Sequence, residues 1–169
     1  MDFILRRWKE EDIESVARFA NNPRIAENLR DAFPYPYTIQ DARMYVRSCV
    51  EEDETRQCCR AIEADGKAVG SIGIFLKEDV YRRSAELGYW LAEPYWNKGI
   101  MSAAVKQLCD EAFRKYDIVR IFAEPYAHNA GSRKVLEHAG FILEGILKNS
   151  VCKYGKMFDS CIYALCKTE

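Results

Sequence analysis

The stretch of this chain best suited to chemistry is Trp96-Asn97-Lys98-Gly99-Ile100-Met101-Ser102, which follows the strand-like segment Glu86-Leu87-Gly88-Tyr89-Trp90-Leu91 and opens a long apolar-periodic helix. The first N–H groups of a helix have no partner inside it and lie at the positive end of its dipole, so they suit a phosphate or diphosphate. Gly99 lets the backbone approach such an anion closely, and Lys98 adds a positive charge. Neither GxxxxGK[ST] nor GxGxxG is present here, so the two common nucleotide loops are excluded. Taken alone, a glycine in this position is also compatible with simple entry into a core helix.

Three other residue types carry weight. Asn129, with Ala130-Gly131-Ser132 after it, reads as the cap of a short helix that ends at His138-Ala139-Gly140-Phe141. Glu86 shares a strand face with Gly88 and Trp90, and would serve as a base only if burial raised its pKa toward working pH; otherwise it is a solvent-facing strand residue. His128 is an alternative base by residue type, whereas His138 reads as a last-turn residue complementing the helix dipole. Seven scattered cysteines, with no CxxC pair and no histidine at ligand spacing, read as reduced, mostly buried thiols, and no metal is expected.

The elements that position these groups follow from the pattern. Phe3 to Arg7 reads as a strand, and Ile13, Val16, Ala17 and Ala20 as a helix stopped at Asn21-Asn22-Pro23. The irregular stretch Asn28 to Tyr37 precedes Thr38-Ile39-Gln40-Asp41, a capping-box-like start for the next helix. Gln57 to Ala64 and Lys67 to Leu76 form a hairpin about Asp65-Gly66, and Ser84 to Ala92 is a third strand closed by Glu93-Pro94. Met101, Ala104, Val105, Leu108, Cys109 and Ala112 make a helical stripe running to about Tyr116. Ile118 to Glu124 is a strand, Ala130 to His138 a helix, and two last strands flank Tyr154-Gly155. With no linker, repeat or low-complexity tract, the expected architecture is one α+β domain over residues 1–169, with a mixed sheet and helices on its faces.

At these residues the chain resembles the GNAT superfamily of acetyltransferases. Its cofactor motif, Gln/Arg-x-x-Gly-x-Gly/Ala, is matched loosely by Trp96, Gly99 and Met101. Trp-x-x-Gly-Ile-Met-Ser before an alanine-rich helix is similar to the branch containing ribosomal-protein N-terminal acetyltransferases. Asn129 to Phe141 resembles the second cofactor motif, Ala85 to Leu91 the central strand, and Leu5-Arg6 with Asp12, Asn28-Leu29 and Tyr37-Thr38 the usual opening.

The resemblance implies a mixed, mostly antiparallel sheet of six or seven strands with about four helices, and direct attack of a primary amine on acetyl-coenzyme A without a protein nucleophile. It implies cofactor contacts from Trp90, Leu91, Ala92, Asn97, Lys98, Gly99, Ile100, Met101, Ser102 and Asn129, with a backbone N–H of Trp90 to Ala92 for the oxyanion. Ser132 is expected to protonate the leaving thiolate, since the tyrosine that other members use is replaced by Leu136, and Glu86 to act as base. Asp31, Tyr35 and Tyr89 are expected on the acceptor side. The acceptor expected is a protein or peptide N-terminal α-amino group. A small amine or polyamine, and a non-catalytic module that only binds acetyl-coenzyme A, are the alternatives.

Composition agrees with a compact enzyme. At 169 residues, 49% of them apolar, such a chain buries roughly 70% of its unfolded-state surface. The 25 basic and 26 acidic residues nearly cancel, which disfavours nucleic acid as a partner. MDFILRRWKEED reaches charge too early for a signal peptide, and no apolar run is long enough for a membrane span, so a cytoplasmic monomer or homodimer is expected.

Overall fold

The computed structural model describes residues 1–168, in which the apolar patterns resolve into seven strands and five α-helices. In chain order these are β1 (Ile4–Arg6), α1 (Ile13–Ala20), α2 (Pro23–Ala26), α3 (Ile39–Glu51), β2 (Gln57–Ala64), β3 (Lys67–Leu76), β4 (Ser84–Leu91), α4 (Ile100–Lys115), β5 (Arg120–Ala123), α5 (Ala130–His138), β6 (Ile142–Lys153) and β7 (Lys156–Cys166). The strands form a sheet in the order β1-β2-β3-β4-β5-β7-β6. β4 and β5 run parallel, whereas β1–β2, β5–β7 and β6–β7 are antiparallel. The mixed, mostly antiparallel sheet is thus seven-stranded. The helix beyond the expected four is α2, a single turn made where Asn22 accepts from the Arg24 N–H at 2.9 Å and Pro23 supplies a helical φ.

The chain divides into two compact units, each assembled from two separate stretches. The first comprises Met1–Gly73 and Tyr89–Ile100. Trp8, Val16, Ala20, Ile25, Tyr37, Val46 and Trp90 are among its buried core residues. The Thr38 hydroxyl accepts from the Asp41 N–H at 3.2 Å and the Asp41 carboxylate accepts from the Thr38 N–H at 2.8 Å, which is the capping box that starts α3. The β2–β3 turn places Asp65 and Gly66 at φ 51° and 72°, as a two-residue turn matched to strand twist requires.

The second unit comprises Ile74–Gly88 and the chain from Met101 onward. Met101, Ala104, Val105, Leu108, Cys109 and Ala112 are all buried, as the stripe on α4 demands. Tyr163 on β7 is fully buried, and burial raises its pKa above 10.0. The seven cysteines are free, with Cys58, Cys59, Cys109 and Cys161 buried. Among the described residues no helix is long and apolar enough to cross a membrane, and no cluster of three His, Cys, Asp or Glu residues could hold a metal ion.

Candidate active site

The functional end of β4 is held against β3 by two features. Gly70 on β3 has no side chain, and a Cβ there would lie 2.5 Å from the Trp90 carbonyl oxygen and 3.1 Å from Leu91 Cδ1, so that carbonyl is turned onto β3. Two residues on, the Ala92 N–H donates to the Val69 carbonyl at 2.8 Å. Because a strand's peptide groups alternate between its two edges, and a trans peptide points its N–H opposite its C=O, the Leu91 N–H is directed away from β3. Of the three amides in Trp90 to Ala92, that of Ala92 is engaged within the sheet, and Leu91 presents the outward donor. The parallel register with β5 covers Ser84 to Glu86, and Leu91 lies beyond it.

A turn at Glu93–Tyr95 carries the chain from β4 into Trp96 and the loop before α4. Asn97 and Gly99 adopt φ of 59° and 76°, and Asn97, Lys98 and Gly99 are exposed, whereas Ile100 and Met101 are buried and Ser102 is half-buried. A Cβ at Gly99 would meet nothing within 4 Å. The reason for glycine there is therefore the left-handed backbone and an open surface at its Cα, rather than crowding within the fold. Lys98 Nζ stands 5.3 Å over the Tyr95 ring, which holds its ammonium beside the loop.

Trp96 does not face the loop it begins. Its indole Nε1–H donates back to the Leu91 carbonyl at 2.7 Å. The Arg24 guanidinium lies 5.2 Å over the Trp96 ring and pairs with Glu93, whose other oxygen accepts from the Asn22 side-chain amide at 2.7 Å. Nearby, Phe33 meets Trp90 edge-on at 5.9 Å and lies tilted against Tyr37 at 4.9 Å. Of the residues expected on the acceptor side, Asp31 and Tyr35 are exposed and Tyr89 is half-buried.

The second unit carries the other expected residues. The Asn129 side-chain oxygen accepts from the Ser132 backbone N–H at 3.2 Å and caps α5, leaving the half-buried Ser132 hydroxyl outside the cap. Arg133 donates to the Ala127 carbonyl at 3.1 Å and to the Tyr163 hydroxyl at 3.0 Å, and Tyr163 donates to Glu137 at 2.8 Å, so the start of α5 is tied to β7. Leu136 is fully buried. Glu86 is half-buried on β4 opposite Phe122 of β5. His128 sets its ring tilted against Phe158 with centroids 4.9 Å apart, and His138 closes the last turn of α5.

Residues 2–142 match the family model for the acetyltransferase (GNAT) domain. The chain belongs to the GNAT acetyltransferase family. As a GNAT enzyme it is an N-acetyltransferase whose acyl donor is acetyl-coenzyme A. The family match runs through stretches of both units. YdaF of Bacillus subtilis (strain 168), named as a ribosomal N-acetyltransferase, is 30% identical over 155 residues, covering 89% of this chain and 76% of YdaF. Two solved structures share the GNAT fold with a TM-score of 0.85. One is RimL, a ribosomal L7/L12 alpha-N-protein acetyltransferase in complex with coenzyme A, 23% identical and covering 97% of this chain and 93% of that one. The other is the microcin C7 self-immunity acetyltransferase MccE in complex with acetyl-CoA and AMP, 20% identical and covering 98% and 93%.

Within this GNAT chain, sequence reasoning missed Gly70, the turned indole of Trp96, the Asn22–Glu93–Arg24 support and the Arg133–Tyr163 tie. A glycine inside a strand marks close backbone approach and gave a signal for Gly70. The others are contacts between residues distant in sequence and left no local pattern.

Proposed function

We propose that this GNAT enzyme acetylates primary amines, with a protein or peptide N-terminal α-amino group as the acceptor. The observation that carries the reading is the single stretch Leu91 to Ile100. It offers an outward Leu91 N–H at the end of β4 and then, within the same unit, a left-handed, exposed loop at Asn97 to Gly99 leading into α4. The first suits a thioester carbonyl and the second a diphosphate. Trp90 and Ala92 flank the donor, Lys98 adds charge, and Ile100, Met101 and Ser102 bring the first-turn amides of α4. Asn129 contributes a further coenzyme contact.

The reaction is direct transfer. The neutral amine attacks the thioester carbon, the C–N bond forms, and charge gathers on the carbonyl oxygen, where the Leu91 N–H receives it. One preorganised donor of this kind lowers a barrier by about 3 to 4 kcal/mol. Collapse breaks the C–S bond. Glu86, directly or through water, takes the ammonium proton and then releases it to solvent, and the Ser132 hydroxyl gives its proton to the departing thiolate as it takes one up from water. Asp31, Tyr35 and Tyr89 shape the acceptor side. Residues 1–169 act as one catalytic domain in this reading, in the cytoplasm, as a monomer or homodimer.

The protein N-terminus is favoured over a polyamine by the similarity to YdaF. The test is thiol release from acetyl-coenzyme A with a panel of acceptors. Peptides with open N-termini should turn over, and the same peptides blocked at the N-terminus but carrying lysine should not. Turnover confined to polyamines would replace the acceptor. Tight acetyl-coenzyme A binding without turnover on any amine would replace the enzyme by a binding module.

A further inference from the structure

We infer that Trp96 is a positioning residue for acyl transfer, holding the Leu91 backbone so that its N–H is aimed before the substrate arrives; this rests on the Leu91 N–H being the oxyanion donor. A backbone dipole stabilises developing charge to the extent that it is oriented in advance, because reorientation during the reaction costs what the interaction would gain. In a strand paired on both edges the ladder supplies that orientation. The register with β5 covers Ser84 to Glu86, so at Leu91 another group must do it.

Two contacts fix the edge facing β3, namely the Trp90 carbonyl turned onto Gly70 and the Ala92 N–H on Val69. The Leu91 carbonyl, on the opposite edge together with its N–H, is held by Trp96 Nε1 at 2.7 Å. The indole takes the place of a neighbouring strand's donor. It is in turn fixed from its face by Arg24 at 5.2 Å, which Glu93 holds, and Glu93 is itself held by Asn22 at 2.7 Å. A residue at the head of an anion-binding loop thereby acts on the thioester end of the same substrate, while its side chain leaves the loop's own amides untouched.

Trp96→Phe tests this, because a six-membered ring remains for Arg24 to cover while the N–H is lost together with the five-membered ring that carries it. With a peptide acceptor, kcat should fall about tenfold, below the full loss of an oxyanion donor because Leu91 is loosened rather than removed. The affinity for desacetyl coenzyme A, which has no thioester carbonyl, should change less than twofold by calorimetry. The infrared band of carbonyl-labelled acetyl-coenzyme A bound to the enzyme should move toward its position in water. An unchanged kcat overturns the inference, and so does a loss of kcat matched by an equal weakening of coenzyme A, which would place Trp96 in the diphosphate loop instead. If Trp96→Phe does not fold, Arg24→Met decides: this side chain is 62% exposed, and its replacement should release the indole and give a smaller loss of kcat with the same unchanged coenzyme A affinity, whereas no loss overturns the proposal. Absence of turnover in the unmodified enzyme would instead defeat the functional reading on which this stands.

Discussion

At the residue scale, Gly99 and Ser132 offer the cleanest separation of binding from chemistry. Gly99 sits at φ 76° with open space at its Cα. Gly99→Val should impose a backbone strain on the order of 1 to 3 kcal/mol at the loop and place bulk where the diphosphate approaches. Coenzyme A affinity should fall at least tenfold by calorimetry; an undiminished affinity would remove this loop from phosphate recognition. Ser132→Ala acts differently, since the α5 cap uses the Ser132 backbone N–H and survives the change. Turnover should drop while acetyl-coenzyme A affinity stays within twofold, and a silent substitution would assign thiolate protonation to water or another hydroxyl.

At the element scale, α5 and the β6–β7 hairpin carry predictions of stability. Asn129→Ala removes the side-chain oxygen that caps α5, a loss of about 1 kcal/mol read as a lower urea midpoint. In the hairpin, Asp159 accepts from the Asn149 N–H at 2.9 Å and from Lys148 at 3.1 Å, and these two bonds lower its pKa below 3.8. A carboxylate with a depressed folded-state pKa contributes stability that is present above its unfolded value and is lost as pH falls through the folded one. The unmodified protein should therefore lose stability below about pH 4, and Asp159→Asn should flatten that acid limb; coincident acid curves for the two proteins would show that Asp159 does not contribute.

At the scale of the whole molecule, the first unit is assembled from two stretches distant in sequence, so its longer stretch is not a detachable piece. Met1–Gly73 lacks Tyr89–Ile100, which brings Trp90, Tyr95 and the Trp96 brace to the same unit. A fragment of residues 1–73 would expose the apolar face that Trp90 covers and leave β3 without the Ala92-to-Val69 bond. It should give the circular dichroism of an unfolded chain, and a cooperative thermal transition in that fragment would contradict this account. The overall fold does not fix the acceptor, since MccE and RimL share it at equal TM-score yet carry names that point to different biology.

What the amino-acid sequence determined by itself was whatever rests on local chemistry. The Thr38 box, the Asp65-Gly66 turn, the bounds of α5 and the apolar stripe of α4 depend on residues within a few positions of one another, so period and turn residues suffice to find them. The order of the motif-bearing segments was equally readable, and it pointed to the family. The tertiary structure alone decided which edge of β4 the Leu91 N–H faces, because that depends on where β3 lies. It alone turned the Trp96 indole back onto Leu91 under an arginine 72 positions earlier in the chain, counting from 24 to 96. Side-chain direction and the sharing of backbone donors between neighbouring strands are settled by packing over such distances, and no local pattern encodes them.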